Sequence, residues 1–383
     1  MSTLEAAVRD IAREARERAH EIEAARSLPE DLGLTMARGG IFRTLVPECY
    51  GGLEVHPGTF ARMLETLGHA DGSTGWCAMI GSTTALLSAS LPEHWAQIIY
   101  ADHPDAITSG VTAPMGRAVA HGEHWRVTGR WSFGSASRNS DWICGGCLIV
   151  DAAGEPISSP SGAPDIQLMY FPRKAVSIHD NWHVSGLRGT GSSDIEVSDL
   201  EVPKDRTVVL GGRARIDRPL YRFPTLGLLA IGVASVALGI ARRAVDELVD
   251  LAGGKVPTGG RRRLAERATV QADVGRADAA LNSAEAYIHA AIDNAWRVAD
   301  SGQRLGVEHK TALRSAAVHA TWAAVDAVDR AYHAAGGSAI YAASPLQRCF
   351  RDVHVATQHI MVAQPIYELT GRVRLGLEPG GLL

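Results

Sequence analysis

Five cysteines, an odd number scattered over 383 residues, leave no disulfide framework to build on. Free thiols in a reducing cytoplasm are the expectation. Charge of one sign is not in excess either. The net charge of −4 gives no general pull toward nucleic acid or an anionic membrane surface. Long hydrophobic runs are missing: the longest, 226–240, falls short of the roughly 20 residues that span a bilayer and is broken by Gly227, Gly232, Ser235 and Gly239. The opening stretch MSTLEAAVRDIAREARERAHEIEAAR is charged and helical, without the apolar centre of a signal peptide. There is no internal repeat, no low-complexity tract and no Walker lysine. No nucleic-acid or membrane partner is therefore expected.

What is present is an ordinary globular composition, 46% apolar and 21% charged, with core enough for two or three domains. Residues 1–105 read as helical. Apolar residues recur at three- and four-residue spacing from Leu4 to Ile22, Pro29 suits the first position of a helix, and a helix is expected from Pro57 to His69. Ser73 and Thr74 then read as the cap of a buried helix through Trp76. Over 106–205 the period shifts to short alternating or apolar strands, such as Trp125–Gly129, Trp142–Val150 and Leu168–Phe171. Turn residues separate these at regular intervals, which predicts a β-barrel or sandwich. From 206 to 383 the helical period returns in four long segments, Leu226–Ala252, Arg263–Ala299, Glu308–Ala335 and Leu346 to about Glu368, an antiparallel four-helix bundle. The fold class is thus α+β, multidomain.

Four features carry possible chemistry. Cys144-Gly-Gly-Cys147 has CxxC spacing but lies inside an apolar strand with no second ligand pair, so buried strand cysteines are expected and no metal site. Gly186-Leu-Arg-Gly189-Thr-Gly191 has the wrong glycine order for a dinucleotide fingerprint, and reads as a tight loop whose backbone can approach a planar ligand. Trp131 to Ser137 (WSFGSAS) follows a strand and a turn at Gly129; its hydroxyls and aromatics suit a flat, nitrogen-rich ring as well as they suit a plain turn. His354 and His359 fall on the last predicted helix, five apart, and so on different faces.

In order along the chain, LVPECYGGLEV (45–55), HADGSTGWCAMI (69–80), SGVTAPMGRA (109–118), GRWSFGSAS (129–137), WHVSGLRGTGSSDIEVSDLEVP (182–203) and RCFRDVHVATQH (348–359) together resemble the acyl-CoA dehydrogenase fold over nearly its whole length. That resemblance implies an N-terminal helical domain (1–105), a β-barrel domain that touches flavin (106–205) and a C-terminal bundle (206–383). Dehydrogenases of the fold carry a carboxylate base eight residues after the Arg-Asp aspartate. Here that position is Ile360, beside His359, while Tyr367-Glu368 lies sixteen residues after Asp352. The chain is more similar to the flavin-dependent monooxygenase branch, the oxygenase components of two-component systems.

The branch implies a separate reductase that delivers FMNH2 or FADH2, with O2 as co-substrate. Oxygen transfer would pass through a flavin hydroperoxide to a small aromatic substrate, a phenol or an indole. In its pattern His359 is the catalytic base, with a pKa near working pH, and His354 is the second choice. Ser135 bonds flavin N5. Ser132, Phe133, Ser137 and Thr112 surround the flavin, and Arg261 meets its phosphate, in competition with Arg262 and Arg263. Trp76, Phe133, Trp182 and His359 wall the substrate. A homotetramer is the usual assembly of the scaffold. The competing activities are an acyl-CoA dehydrogenase with Glu368 as base and an amine N-oxygenase.

Overall fold

The computed structural model describes residues 3–159, 162–381 and 383. Its first layer is helical: α1 (Thr3–Glu17), α2 (Ala19–Ala25), α3 (Glu30–Arg38), α4 (Pro57–Ala70), α5 (Gly72–Ala85) and the short α6 (Glu93–Ala96). The stripe of Val8, Ile11 and Ala15 is buried, as its period requires. The single helix expected to Ile22 is instead two. At the break stands Arg18, which ion-pairs with Glu14, Glu21 and Asp31 at 2.7–2.9 Å. Pro29 is the residue before α3 rather than its first. Asp71, not Ser73 or Thr74, caps α5: its carboxylate accepts the N–H and the hydroxyl hydrogen of Thr74, both at 2.8 Å.

The middle layer is a sheet of β1 (Thr108–His121), β2 (His124–Trp131), β3 (Trp142–Val150), β4 (Ile166–Pro172), β5 (Ser177–Ile178), β6 (Ile195–Pro203) and β7 (Thr207–Val208). Its order is β5-β6-β2-β1-β3-β4-β7, with β1 and β3 parallel and the other neighbours antiparallel. The strands form one seven-stranded sheet with β5 and β7 at its ends, and residues of β1, β2, β3, β4 and β6 share one core, in keeping with the expected middle β domain. Trp131 fixes its interior. The ring is fully buried, donates Nε1–H to Gly146 O at 2.7 Å, and lies where side chains on Gly116, Gly129 and Gly145 would collide with it. Gly129 is therefore a bare site inside β2 rather than a turn. Cys144 and Cys147, three apart on β3, point to opposite faces, one toward the first helical layer and one into the sheet's own core with Trp131.

The third layer holds α7 (Pro219–Arg222), α8 (Thr225–Gly254), α9 (Ala268–Asp300), α10 (Val307–Ala335), α11 (Pro345–Ala356) and α12 (Pro365–Arg374). α8 is long and apolar enough to cross a membrane, yet 78% of its most apolar window is buried inside the molecule, against α4, α5, α10 and α11. The backbones of α4 and α8 cross so closely that a Cβ on Gly68 or Gly239 would meet main-chain atoms of the other helix. The last predicted helix is also two. α11 ends at Ala356, turns occupy 357–364, and α12 restarts at Pro365, whose missing N–H suits the first turn of a new helix. His359 lies in those turns.

Candidate active site

Where the three layers meet there is a cavity of about 530 Å3. α5 contributes Trp76, β1 Thr112, the segment after β2 Ser132, Phe133 and Ser135, and the 182–192 loop Trp182, Leu187, Thr190 and Ser192. α8 closes one side with Leu226 and Leu229, and the turns after α11 bring His359.

The two loops are tied to each other and to α11. Gly134 N–H donates to Ser193 O at 3.0 Å and Ala136 N–H to Thr190 O at 2.9 Å. Gly186 presses so closely on Arg351 that a Cβ there would run into its carbonyl, and Asp352 Oδ1 accepts Leu187 N–H at 2.6 Å. Phe133, Ala136 and Leu187 all adopt positive φ (67°, 61° and 49°) although none is glycine. Three such residues around one cavity mark strained backbone held by its surroundings.

The hydroxyls form a continuous chain. Trp76 Nε1–H donates to Ser135 Oγ at 3.2 Å, Ser135 Oγ is 2.6 Å from Ser192 Oγ, and Ser192 Oγ is 2.6 Å from Thr190 Oγ1. Thr190 Oγ1 donates onward to Leu187 O at 2.8 Å. Opposite this chain the imidazole of His359 meets the Trp76 ring edge-on, with centroids 5.6 Å apart. Its Nδ1 accepts Met361 N–H at 3.3 Å, which puts the ring proton on Nε2. Burial, and then the positive charge of Arg314, pushes His359 down to about 4 rather than leaving it near working pH. The ring is neutral and presents a donor.

The structure therefore brings together Trp76, Thr112, Ser132, Phe133, Ser135, Trp182 and His359. Four other predicted residues stay outside the cavity wall. His354 points from α11 toward α10: its Nδ1–H donates to Phe350 O at 2.7 Å, and Nε2 lies 3.5 Å from Asp329. Ser137 is buried in the short turn after the serine-rich segment. Arg261 is exposed on the loop between α8 and α9, away from the cavity. Glu368 is exposed on α12, away from the position a base would need. Thr190 and Ser192 are the residues the sequence reading passed over; two hydroxyls inside a loop already read as approaching a planar ligand were the available signal. The buried CxxC cysteines are inert, with burial pushing Cys147 up to about 12 and Cys144 higher still.

Residues 2–92 match the family described as Acyl-CoA dehydrogenase, N-terminal domain, and residues 231–364 match Acyl-CoA dehydrogenase, C-terminal domain. The chain belongs to the acyl-CoA dehydrogenase family. Its relatives within that family are oxygenases. Indole-3-acetate monooxygenase of Pseudomonas putida is 35% identical over 95% of this chain and 91% of its own length. Among solved structures, 3-HSA hydroxylase from Rhodococcus sp. RHA1 superposes with a TM-score of 0.90 at 25% identity, covering 98% of both chains. XiaF from Streptomyces sp., in complex with FADH2 and glycerol, gives 0.87 at 25% identity over 100% of both. This member of the acyl-CoA dehydrogenase family is a flavin-dependent monooxygenase, and the dehydrogenase alternative built on Glu368 falls away.

Proposed function

We propose that the chain is the oxygenase component of a two-component system, hydroxylating a small phenol or indole with reduced flavin received from a separate reductase. The observation that carries this reading is the one cavity that Trp76, Phe133, Trp182, Ser135 and His359 line together. The residues fit a flavin. The cavity has room for a three-ring system and a small arene, its walls are apolar and aromatic, and its polar side is a row of hydroxyl oxygens. When bound, reduced flavin supplies the activation of O2 and the delivery of one oxygen atom.

The chain's own residues do the rest. Ser135 would hold the flavin at N5, with Ser132, Phe133 and Thr112 lining the place its ring would take. Trp76 and Trp182 exclude water and align the substrate ring. His359, whose Nδ1 is occupied by Met361 N–H, offers Nε2–H to the substrate's heteroatom and orients the substrate ring. An arene fits better than an amino sugar, because the lining contains no carboxylate to hold a cationic amine. Assembly as a homotetramer, with Arg261 reaching a neighbour's flavin phosphate, and residence in the cytoplasm complete the proposal.

The test is anaerobic loading with reduced FMN or FAD, followed by labelled dioxygen and a panel of phenols and indoles. Mass spectrometry is expected to find one labelled oxygen in the product. Flavin binding with no labelled product from any panel member would overturn the assignment.

A further inference from the structure

The hydroxyl chain has a direction, and the contacts fix it. Leu187 O is a carbonyl and can only accept, so the hydrogen in its 2.8 Å contact belongs to Thr190. With that hydrogen committed, the 2.6 Å contact between Thr190 and Ser192 must use the hydrogen of Ser192. The 2.6 Å contact between Ser192 and Ser135 must then use the hydrogen of Ser135. Trp76 Nε1–H, which can only donate, occupies one lone pair of Ser135 Oγ at 3.2 Å. The order is Trp76 to Ser135 to Ser192 to Thr190 to the Leu187 carbonyl. Ser135, Ser192 and Thr190 are all at least nine-tenths buried and all line the cavity. None has a hydrogen left to give, so this wall offers only lone pairs to what binds against it.

We propose that Ser192 and Thr190 are positioning residues that lock Ser135 as an acceptor, and that this polarity makes the site select reduced over oxidised flavin. The proposal rests on the placement of Ser135 at flavin N5. Reduced flavin carries a hydrogen on N5 and can donate it to the free lone pair of Ser135. Oxidised flavin has a lone pair there, so two acceptors would face each other in a site shielded from water. A neutral hydrogen bond gained on one side and an unsatisfied buried acceptor avoided on the other amount to about tenfold or more in relative affinity. A receptor for delivered reduced flavin needs this preference, because it must take up the incoming cofactor and let the spent one go.

The experiment is anaerobic titration of the full-length protein with reduced and with oxidised FMN, followed by absorbance and fluorescence. The wild type is expected to bind the reduced form at least about tenfold more tightly. Thr190→Val and Ser192→Ala each release a hydrogen upstream, so Ser135 becomes free to donate. Both are expected to bind oxidised FMN more tightly than the wild type, a gain that damaged packing would not produce. Thr190→Ser restores the hydroxyl and the wild-type ratio. Ser135→Ala weakens reduced FMN with no gain for the oxidised form. If Ser135→Ala leaves the ratio unchanged, the N5 placement is wrong. If it lowers the ratio while Thr190→Val and Ser192→Ala leave oxidised binding unimproved, the placement stands and the directional lock is overturned.

Discussion

Asp352 Oδ1 takes the main-chain hydrogen of Leu187 at 2.6 Å, although 165 positions of sequence separate the two. The contact joins α11 to the loop carrying Thr190 and Ser192, and holds Leu187 at its positive φ. The carboxyl is buried. Desolvation, and to a lesser degree the neighbouring Asp71, pushes it from 3.8 up to about 7, against the opposing pull of the Leu187 N–H.

A pH-dependent stability follows from that environment. Between pH 4 and 7 the unfolded chain has released the Asp352 proton while the folded one retains it, so stability falls as pH rises, by up to about 1.4 kcal/mol per unit. Above about 7 both states are ionised and the dependence ends. Asp352→Asn keeps an acceptor for Leu187 and removes the titration. Its urea-unfolding free energy relative to wild type is expected to improve steadily from pH 4 to 7. A constant difference across that range would contradict the buried-acid assignment.

His359 has the opposite sign. Its imidazole is pushed below the ordinary 6.5 to about 4, so the folded state loses stability as pH falls between those values and is indifferent above them. The NMR titration of its ring protons is expected to show an inflection below 5. His359→Ala is expected to lower product formation by about 100-fold or more while flavin binding stays within about threefold. Full activity in that variant would remove the residue from the chemistry.

The sequence led to this histidine by an imperfect route. The setting expected for it was a helix face at five-residue spacing from His354. In the structure the helix has ended by then, and His354 faces Asp329. RCFRDVHVATQHIMVAQPIYEL keeps an apolar period through the break, and only Pro365 announces a new start. The three layers and the buried α8 were legible because their periods are long and regular. The strand order of the sheet, the direction of the hydroxyl chain and the Asp352 contact depend on pairings between distant segments, which no local pattern encodes.

Gly129→Ala tests the reading of β2. A methyl group there would enter the space of the Trp131 ring and of the Gly116 backbone. A loss of about 1–3 kcal/mol is expected in thermal or chemical unfolding, the usual cost of overpacking. Had Gly129 been an ordinary turn glycine with a negative φ, the same change would be neutral or mildly stabilising.

Phe133 gives the reverse outcome. Its side chain is 70% exposed, edge-on to Trp182 at 6.3 Å, and its φ of 67° suits glycine better than phenylalanine. Phe133→Gly is expected to raise stability by up to about 1 kcal/mol and to raise KM for the aromatic substrate. A drop in melting temperature would show that the ring contributes more to the fold than to the mouth of the cavity.

The cavity has no wall of its own: α5, the sheet, the strained loops, α8 and the turns around His359 each supply one side. On warming, exclusion of water from it is expected to fail as soon as the least secure of these contributors loosens, before the whole chain melts. The first symptom of heat is then expected to be a change in stoichiometry, with dioxygen still consumed but returned increasingly as hydrogen peroxide. The ratio of hydroxylated product to oxygen used thus reports on the seams between layers at temperatures where circular dichroism still sees an intact protein.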